Sequence, residues 1–159
     1  MSDTWNFSFI ASLYSVTPGH KGRIGISLVE GGIDNDGWLQ VMTDTRLIKP
    51  VNFRFDYVSH TDRRITYNIS SSSDTGFYRG AAVGKNFNHY VGLFPGGTSE
   101  PWLVKPLGEW GDHDVLRLKL YDTYECSIGN YRHSDGMDYL NVISGENLEF
   151  EAHVLRVLS

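Results

Sequence analysis

The groups of this 159-residue chain that could do chemistry are six histidines, one cysteine and 19 acidic residues. Their spacing speaks against catalysis. No Gly-x-Ser-x-Gly occurs, so there is no nucleophile elbow. His20, His60, His89, His113, His133 and His153 form no His-x-x-x-His pair, and His-Glu-x-x-His is missing. Cys126 lies in Tyr124-x-Cys126-x-Ile128, which alternates as a strand does, so it reads as a buried, inert thiol. A single cysteine also excludes an intrachain disulfide and a cysteine-based metal site. Asp112-His113-Asp114 sets one His between two carboxylates, a pattern that reads as a solvated loop. Asp34-Asn35-Asp36-Gly37 lacks the third spaced acid and the distal Glu of an EF-hand loop. The same Asp-Gly pair returns at Asp135-Gly136, so a hairpin turn is a firmer reading of residues 31–37 than a calcium loop. The expectation is a chain that is not an enzyme and uses no cofactor and no metal.

What remains is recognition. Binding a sugar needs a flat aromatic face for the pyranose and fixed amide or carboxylate groups for its hydroxyls. Three stretches offer such a set. The first holds Asp34, Asp36, Trp38 and Gln40, and the second Asn86, Asn88, His89 and Tyr90. The third holds His133, Asp135, Asp138, Tyr139 and Asn141. Parity along a strand sharpens the reading: with Leu39 and Val41 inward, Trp38 and Gln40 share the outer face. Tyr139 and Asn141 do the same if Leu140 and Val142 point inward, whereas the second stretch pairs Tyr90 with Gly92 and makes a shallower site. The competing reading has Trp38 and Tyr139 plugging the end of a barrel.

These residues need a frame, and period-two alternation supplies it. Phe7-x-Phe9, Ile24-x-Ile26-x-Leu28, Phe53-x-Phe55, Ile65-x-Tyr67 and Leu116-x-Leu118-x-Leu120 read as half-buried strands. Pro18-Gly19, Asp36-Gly37, Pro95-Gly96-Gly97 and Ser144-Gly145 punctuate them. No window of 12 or more residues has clean helical periodicity. About a dozen short strands imply an all-β domain. Three stretches then read alike: Trp38-Leu39-Gln40-Val41, Tyr90-Val91-Gly92-Leu93 and Tyr139-Leu140-Asn141-Val142, each followed by a second alternating strand. Within those second strands Phe53, Trp102 and Leu148 stand 49 and 46 positions apart. The chain parses as one domain, 1–159, of three four-stranded units, roughly 5–58, 62–106 and 113–158. An antiparallel β-sandwich or another barrel is the alternative.

Twelve strands in three such units resemble the β-trefoil, and loosely the ricin-B-like lectins among trefoils. That lectin branch is often marked by Gln-x-Trp in the last strand of each unit. Here the matching places are Val51-Asn52-Phe53, Glu100-Pro101-Trp102 and Glu146-Asn147-Leu148, so only one Trp and no Gln is kept. The resemblance implies a carbohydrate-binding protein with up to three shallow sites built on Asp36, Trp38, Gln40, Asn88, His89, Tyr90, Asp135, Asp138, Tyr139 and Asn141. Its partners would be glycans or glycoconjugates, with avidity from several sites or a homo-oligomer. Trefoils also occur as protease inhibitors, and a trefoil inhibitor or protein-interaction module is the alternative function. Residues 15–21 or 70–74 could form an inhibitory loop, although the polyserine of the latter is floppy. Trp102 alternates with Val104 and reads as core, while Trp110 between glycines is a contact or a lid.

Composition bounds the partners. Net charge is −5 with both signs interspersed, so no basic stripe tracks phosphates and nucleic acid is disfavoured. No amphipathic segment suits insertion into a membrane. The N-terminus lacks a basic region ahead of an apolar run, which suggests a cytoplasmic protein, or one released without a classical signal, with a role in defence.

Overall fold

The computed structural model describes residues 5–27, 37–41, 48–72, 80–96, 100–132 and 138–158. Among the described residues fourteen strands form, two more than the twelve expected. They are β1 Ser8–Ser15, β2 Gly22–Ser27, β3 Leu39–Val41, β4 Ile48–Pro50, β5 Asn52–His60, β6 Ile65–Ser71 and β7 Ala82–Lys85. The second half holds β8 Val91–Phe94, β9 Trp102–Pro106, β10 Val115–Tyr121, β11 Gly129–Arg132, β12 Asp138–Asn141, β13 Glu146–Asn147 and β14 Phe150–Leu158. The shortest, β13, spans two residues and only extends the sheet beside β11.

Six strands close on themselves. β1 pairs β5, β5 pairs β6, β6 pairs β9, β9 pairs β10, β10 pairs β14, and β14 returns to β1, every pair antiparallel. Closure removes the open edges that an antiparallel sandwich would leave. The architecture is therefore a closed all-β barrel and not the alternative sandwich.

Alternation, broken in β1 by the buried Ser12, fills the barrel. Phe9, Ala11 and Leu13 of β1 point inward, as do Phe53 and Phe55 of β5, Ile65, Tyr67 and Ile69 of β6, and Leu116, Leu118 and Leu120 of β10. Each fully buried large side chain contributes about 1.5–3 kcal/mol of transfer free energy. Phe9 and Phe55 stack at 4.7 Å across adjacent strands. Trp102 is buried, as its alternation with Val104 requires, and its indole N–H donates to the Val83 carbonyl at 2.9 Å. Trp110 is a lid. It is buried, packs on Phe7 and Phe9, and donates to the Tyr67 hydroxyl at 3.2 Å. That hydroxyl donates in turn to the Phe7 carbonyl at 2.9 Å, and burial pushes the Tyr67 phenol far above its ordinary range.

Because neighbours in the ring alternate in direction, β1, β6 and β10 run the same way, and their C-terminal ends lie at one end of the barrel. From these ends hang three antiparallel pairs: β2–β3 at Ser15↔Gly22, β7–β8 at Ser70↔Ala82, and β11–β12 beyond the Tyr121↔Ser127 bridge. The second members of the pairs meet over the barrel mouth. Trp38 bridges Gly92, Tyr90 bridges Asn141, and Tyr139 pairs with Gln40. Among the described residues no helix is long and apolar enough to cross a membrane.

Candidate functional site

The cap brings most of the sequence-derived site residues together, and it buries Gln40, Tyr139 and Asn141 while Trp38, His89, Tyr90 and Asp138 stay half-buried. Gln40 is 1% exposed and Asn141 3%. The outward face expected from strand parity is thus covered, because each second strand lies against the other two. Asn141 Oδ1 accepts from the amides of Ile143 and Ser144, both at 3.0 Å, and its Nδ2 donates to the Asn88 carbonyl at 3.3 Å. Tyr139 is 7% exposed. The half-buried Tyr90 ring meets Trp38 at 6.3 Å and Tyr139 at 5.8 Å, edge to face. Gly92 is the seat of the Trp38 ring: a Cβ there would lie 2.7 Å from Trp38 Cε3.

Asn88 and His89 lie in the β7–β8 turn, closed by His89 N–H to the Asn86 carbonyl at 2.9 Å. Asn86 Oδ1 accepts from the amides of Asn88 and Tyr90, each at 3.0 Å. His89 holds φ at +71°, and its carbonyl accepts from Val142 N–H at 3.0 Å. Asp138 is occupied by the fork of Arg132, with both N···O distances 3.1 Å. Asp36, Asp135 and all of the loop 31–37 except Gly37, weighed above as a turn or a calcium loop, lie outside the described residues. Asn88 alone of the eight described candidates is exposed. Among the described candidates, Gln40, Tyr139 and Asn141 are taken up in the packing of the cap.

The two loops considered for docking to a protein fare differently. Ser70 and Ser71 belong to β6, and Ser72 N–H donates to the Asn52 carbonyl at 2.8 Å, so this part of the polyserine is ladder and not floppy. Residues 73–74 are outside the described set. The loop of residues 16–21, which leads from β1 to β2, is tightly held, with Val16 N–H donating to the Glu149 carbonyl at 2.9 Å.

The opposite end of the barrel carries the site that sequence reasoning missed. Thr61-Asp62-Arg63-Arg64 joins β5 to β6 in four residues, closed by Thr61 N–H to the Arg64 carbonyl at 2.9 Å. Thr61 Oγ1 accepts from the amides of Arg63 and Arg64, both at 3.2 Å. The two arginines then part in role. Arg64 is pinned: it donates to Glu125 at 3.0 Å and to the Arg63 carbonyl at 3.2 Å, and lies over the Tyr121 ring at 4.6 Å. Arg63 is exposed at the tip. Beside it a cleft of about 400 Å³ runs between Trp5, Lys105 and Pro106. The lining of this cleft gathers Arg63, Arg64 and Lys105 with Asp62, and Glu125 is already paired with Arg64. The available signal was a basic pair between two alternating strands. Which arginine is free depends on Glu125, 61 positions further on.

No protein-family model matches the chain, and no curated protein does. Among solved structures it is similar to the double-headed arrowhead protease inhibitor A in complex with two trypsins. The likeness has a TM-score of 0.59 at 14% identity and covers 94% of this chain and 90% of that one. The fold is a β-trefoil. Resemblance to the ricin-B-like branch gains no support from this neighbour. The expected glycan partners are corrected: the similar structure holds proteins, and the aromatic and amide groups meant for sugars are taken up in packing.

Proposed function

We propose that this β-trefoil is a non-enzymatic, protein-binding inhibitor of a trypsin-like serine protease, with Arg63 as its leading contact. The observation that carries the reading is the turn 61–64, which presents an exposed arginine on a frame fixed by Thr61 and Arg64. A trypsin-like pocket has an aspartate at its base and accepts a long cation. Fixing a backbone residue costs about 1–2 kcal/mol, so a turn already ordered in the free protein binds with less entropy loss. The likeness to an inhibitor over 94% of the chain supports the same class of partner. The reading extends to three quasi-equivalent units, supported by the cyclic bridges Trp38–Gly92, Tyr90–Asn141 and Tyr139–Gln40.

The test is a progress-curve assay of trypsin with the purified chain. Inhibition in the nanomolar to micromolar range is expected. Arg63→Ala should weaken it by about 30-fold or more, the loss of at least 2 kcal/mol typical of a hot-spot side chain. Neither inhibition nor binding of trypsin at 10 µM protein, on the order of the weakest specific encounters, would sink the proposal.

A further inference from the structure

We infer that Glu125, in the turn between β10 and β11, is a positioning residue for Arg63 and acts through Arg64. This rests on the reading of Arg63 as the leading contact of a protease inhibitor and deepens it.

The turn that carries Glu125 is tied to itself and to the cap. Asp122 N–H donates to the Cys126 carbonyl at 2.9 Å, and Glu125 N–H to the Asp122 carbonyl at 3.0 Å. One oxygen of the buried Asp122 carboxylate accepts from the amides of Tyr124 and Cys126, both at 2.9 Å. The other accepts from Lys85 of β7. In this turn Glu125 sits at φ +65°, one of two described non-glycine residues with a positive φ. Glycine or asparagine takes such a place with less strain, and glutamate is not among the types enriched there. Its carboxylate leaves the turn and accepts from Arg64 Nη2 at 3.0 Å, 61 positions away in the chain.

The effect of that carboxylate is felt at Arg64. The guanidinium rests over the Tyr121 ring at 4.6 Å, and its other terminal nitrogen donates to the Arg63 carbonyl at 3.2 Å. Glu125, the Arg64 guanidinium and the Arg63 carbonyl thus make one line of contacts, which fixes the direction in which Arg63 leaves its turn. Arg64 carries a cost as well, since its Nε is buried and meets no acceptor among the described residues. The Arg64 and Glu125 side chains are 21% and 54% exposed, and an ion pair this open to water adds little to stability. A strained backbone and an unpaired donor are more than such a pair returns to the fold. They are found where the docking turn is aimed, as strain at functional sites is.

The test combines trypsin inhibition constants with nitrogen-15 relaxation of the free protein. Glu125→Gly should weaken inhibition about 3- to 10-fold, the cost of re-ordering one long side chain on binding. Its melting temperature should stay within about 2 °C of wild type, because backbone strain is relieved as the exposed pair is lost. Glu125→Gln keeps an acceptor for Arg64 and should inhibit within about 2-fold of wild type. In an Arg64→Met background Glu125→Gly should change nothing further. The order parameter of the Arg63 amide, about 0.85 in a rigid backbone, should fall toward about 0.6 in Glu125→Gly. An unchanged order parameter would overturn the positioning role, whatever trypsin does. So would a Glu125→Gly variant that inhibits like wild type while Arg63→Ala does not, and the Arg63 reading would then stand. An equal loss in the Arg64→Met background would show Glu125 acting on the protease directly and would overturn the route through Arg64. A wild-type chain that neither inhibits nor binds trypsin would overturn the Arg63 reading, and the order parameter would still decide whether Glu125 holds the turn.

Discussion

Asn141 was a candidate for gripping a ligand, and its geometry makes it a stay of the cap, so truncating it should cost stability. Its side chain makes three hydrogen bonds, accepting from Ile143 and Ser144 and donating to Asn88, at 3.0, 3.0 and 3.3 Å. Each is worth about 1 kcal/mol net, and a buried group left without a partner costs more. Asn141→Ala therefore stands to lose about 3 kcal/mol. Ile143 is exposed and Ser144 half-buried, so water can recover part of the two amide bonds. The expected loss is then about 2–3 kcal/mol. The assay is urea denaturation followed by tryptophan fluorescence. With a slope of about 2 kcal/mol/M, the midpoint should fall by roughly 1–1.5 M with the slope unchanged. A fall worth less than about 0.5 kcal/mol, the range of ordinary surface substitutions, would show that Asn141 does not hold the cap.

Further expectations concern two other tight places. Asp122 is buried and accepts from the amides of Tyr124 and Cys126, both at 2.9 Å, while pairing with Lys85. Burial alone would raise its pKa, but the bonds from Lys85, Cys126 and Tyr124 outweigh it and hold the carboxyl below its usual range. The unfolded pKa is about 3.9, so this stabilisation is present above about pH 4 and fades as pH falls through the lower folded value. Lys85→Met should cost about 3 kcal/mol at pH 7, and thermal melts should show the gap to wild type closing below pH 4. Gly145 has φ +89°, and a Cβ there would collide with the carbonyl of Asn130, a backbone atom that cannot swing aside. Gly145→Ala should lower the melting temperature by 6 °C or more, as about 3 kcal/mol does in a domain of this size. A melting temperature within 2 °C of wild type, under about 1 kcal/mol, would count against that packing.

How far the sequence could be read depends on how local the cause was. The barrel strands were legible because Phe53-x-Phe55 or Leu116-x-Leu118-x-Leu120 carries its own period, and closure of the ring left that period intact. Pro18-Gly19 was legible as a turn because Gly19 meets a backbone need inside four residues. Parity at Gln40 and Asn141 separated two faces, but it cannot show that both faces are covered. What covers them is the other two hairpins of the cap, roughly 50 and 100 positions along the chain. Arg63 escaped notice for the same reason. Its freedom is defined only against Arg64, which is committed to Glu125 and Tyr121 in another part of the chain.

The seam between β1 and β14 carries a consequence for how the molecule is made. Ser8 pairs with Leu158 and Ser15 with Phe150, so the ring closes between strands some 140 positions apart. On the ribosome β1 emerges early, yet one of its edges stays without its partner until the last barrel strand has been synthesised. At about 5–20 residues per second that delay is several seconds to half a minute. Through that interval an apolar strand edge is open to pairing with other chains. Closure dominated by such distant contacts places folding at the slow, millisecond-to-second end of small domains. Yield in a heterologous host should therefore respond to translation rate and chaperone supply more than to the final stability of the barrel.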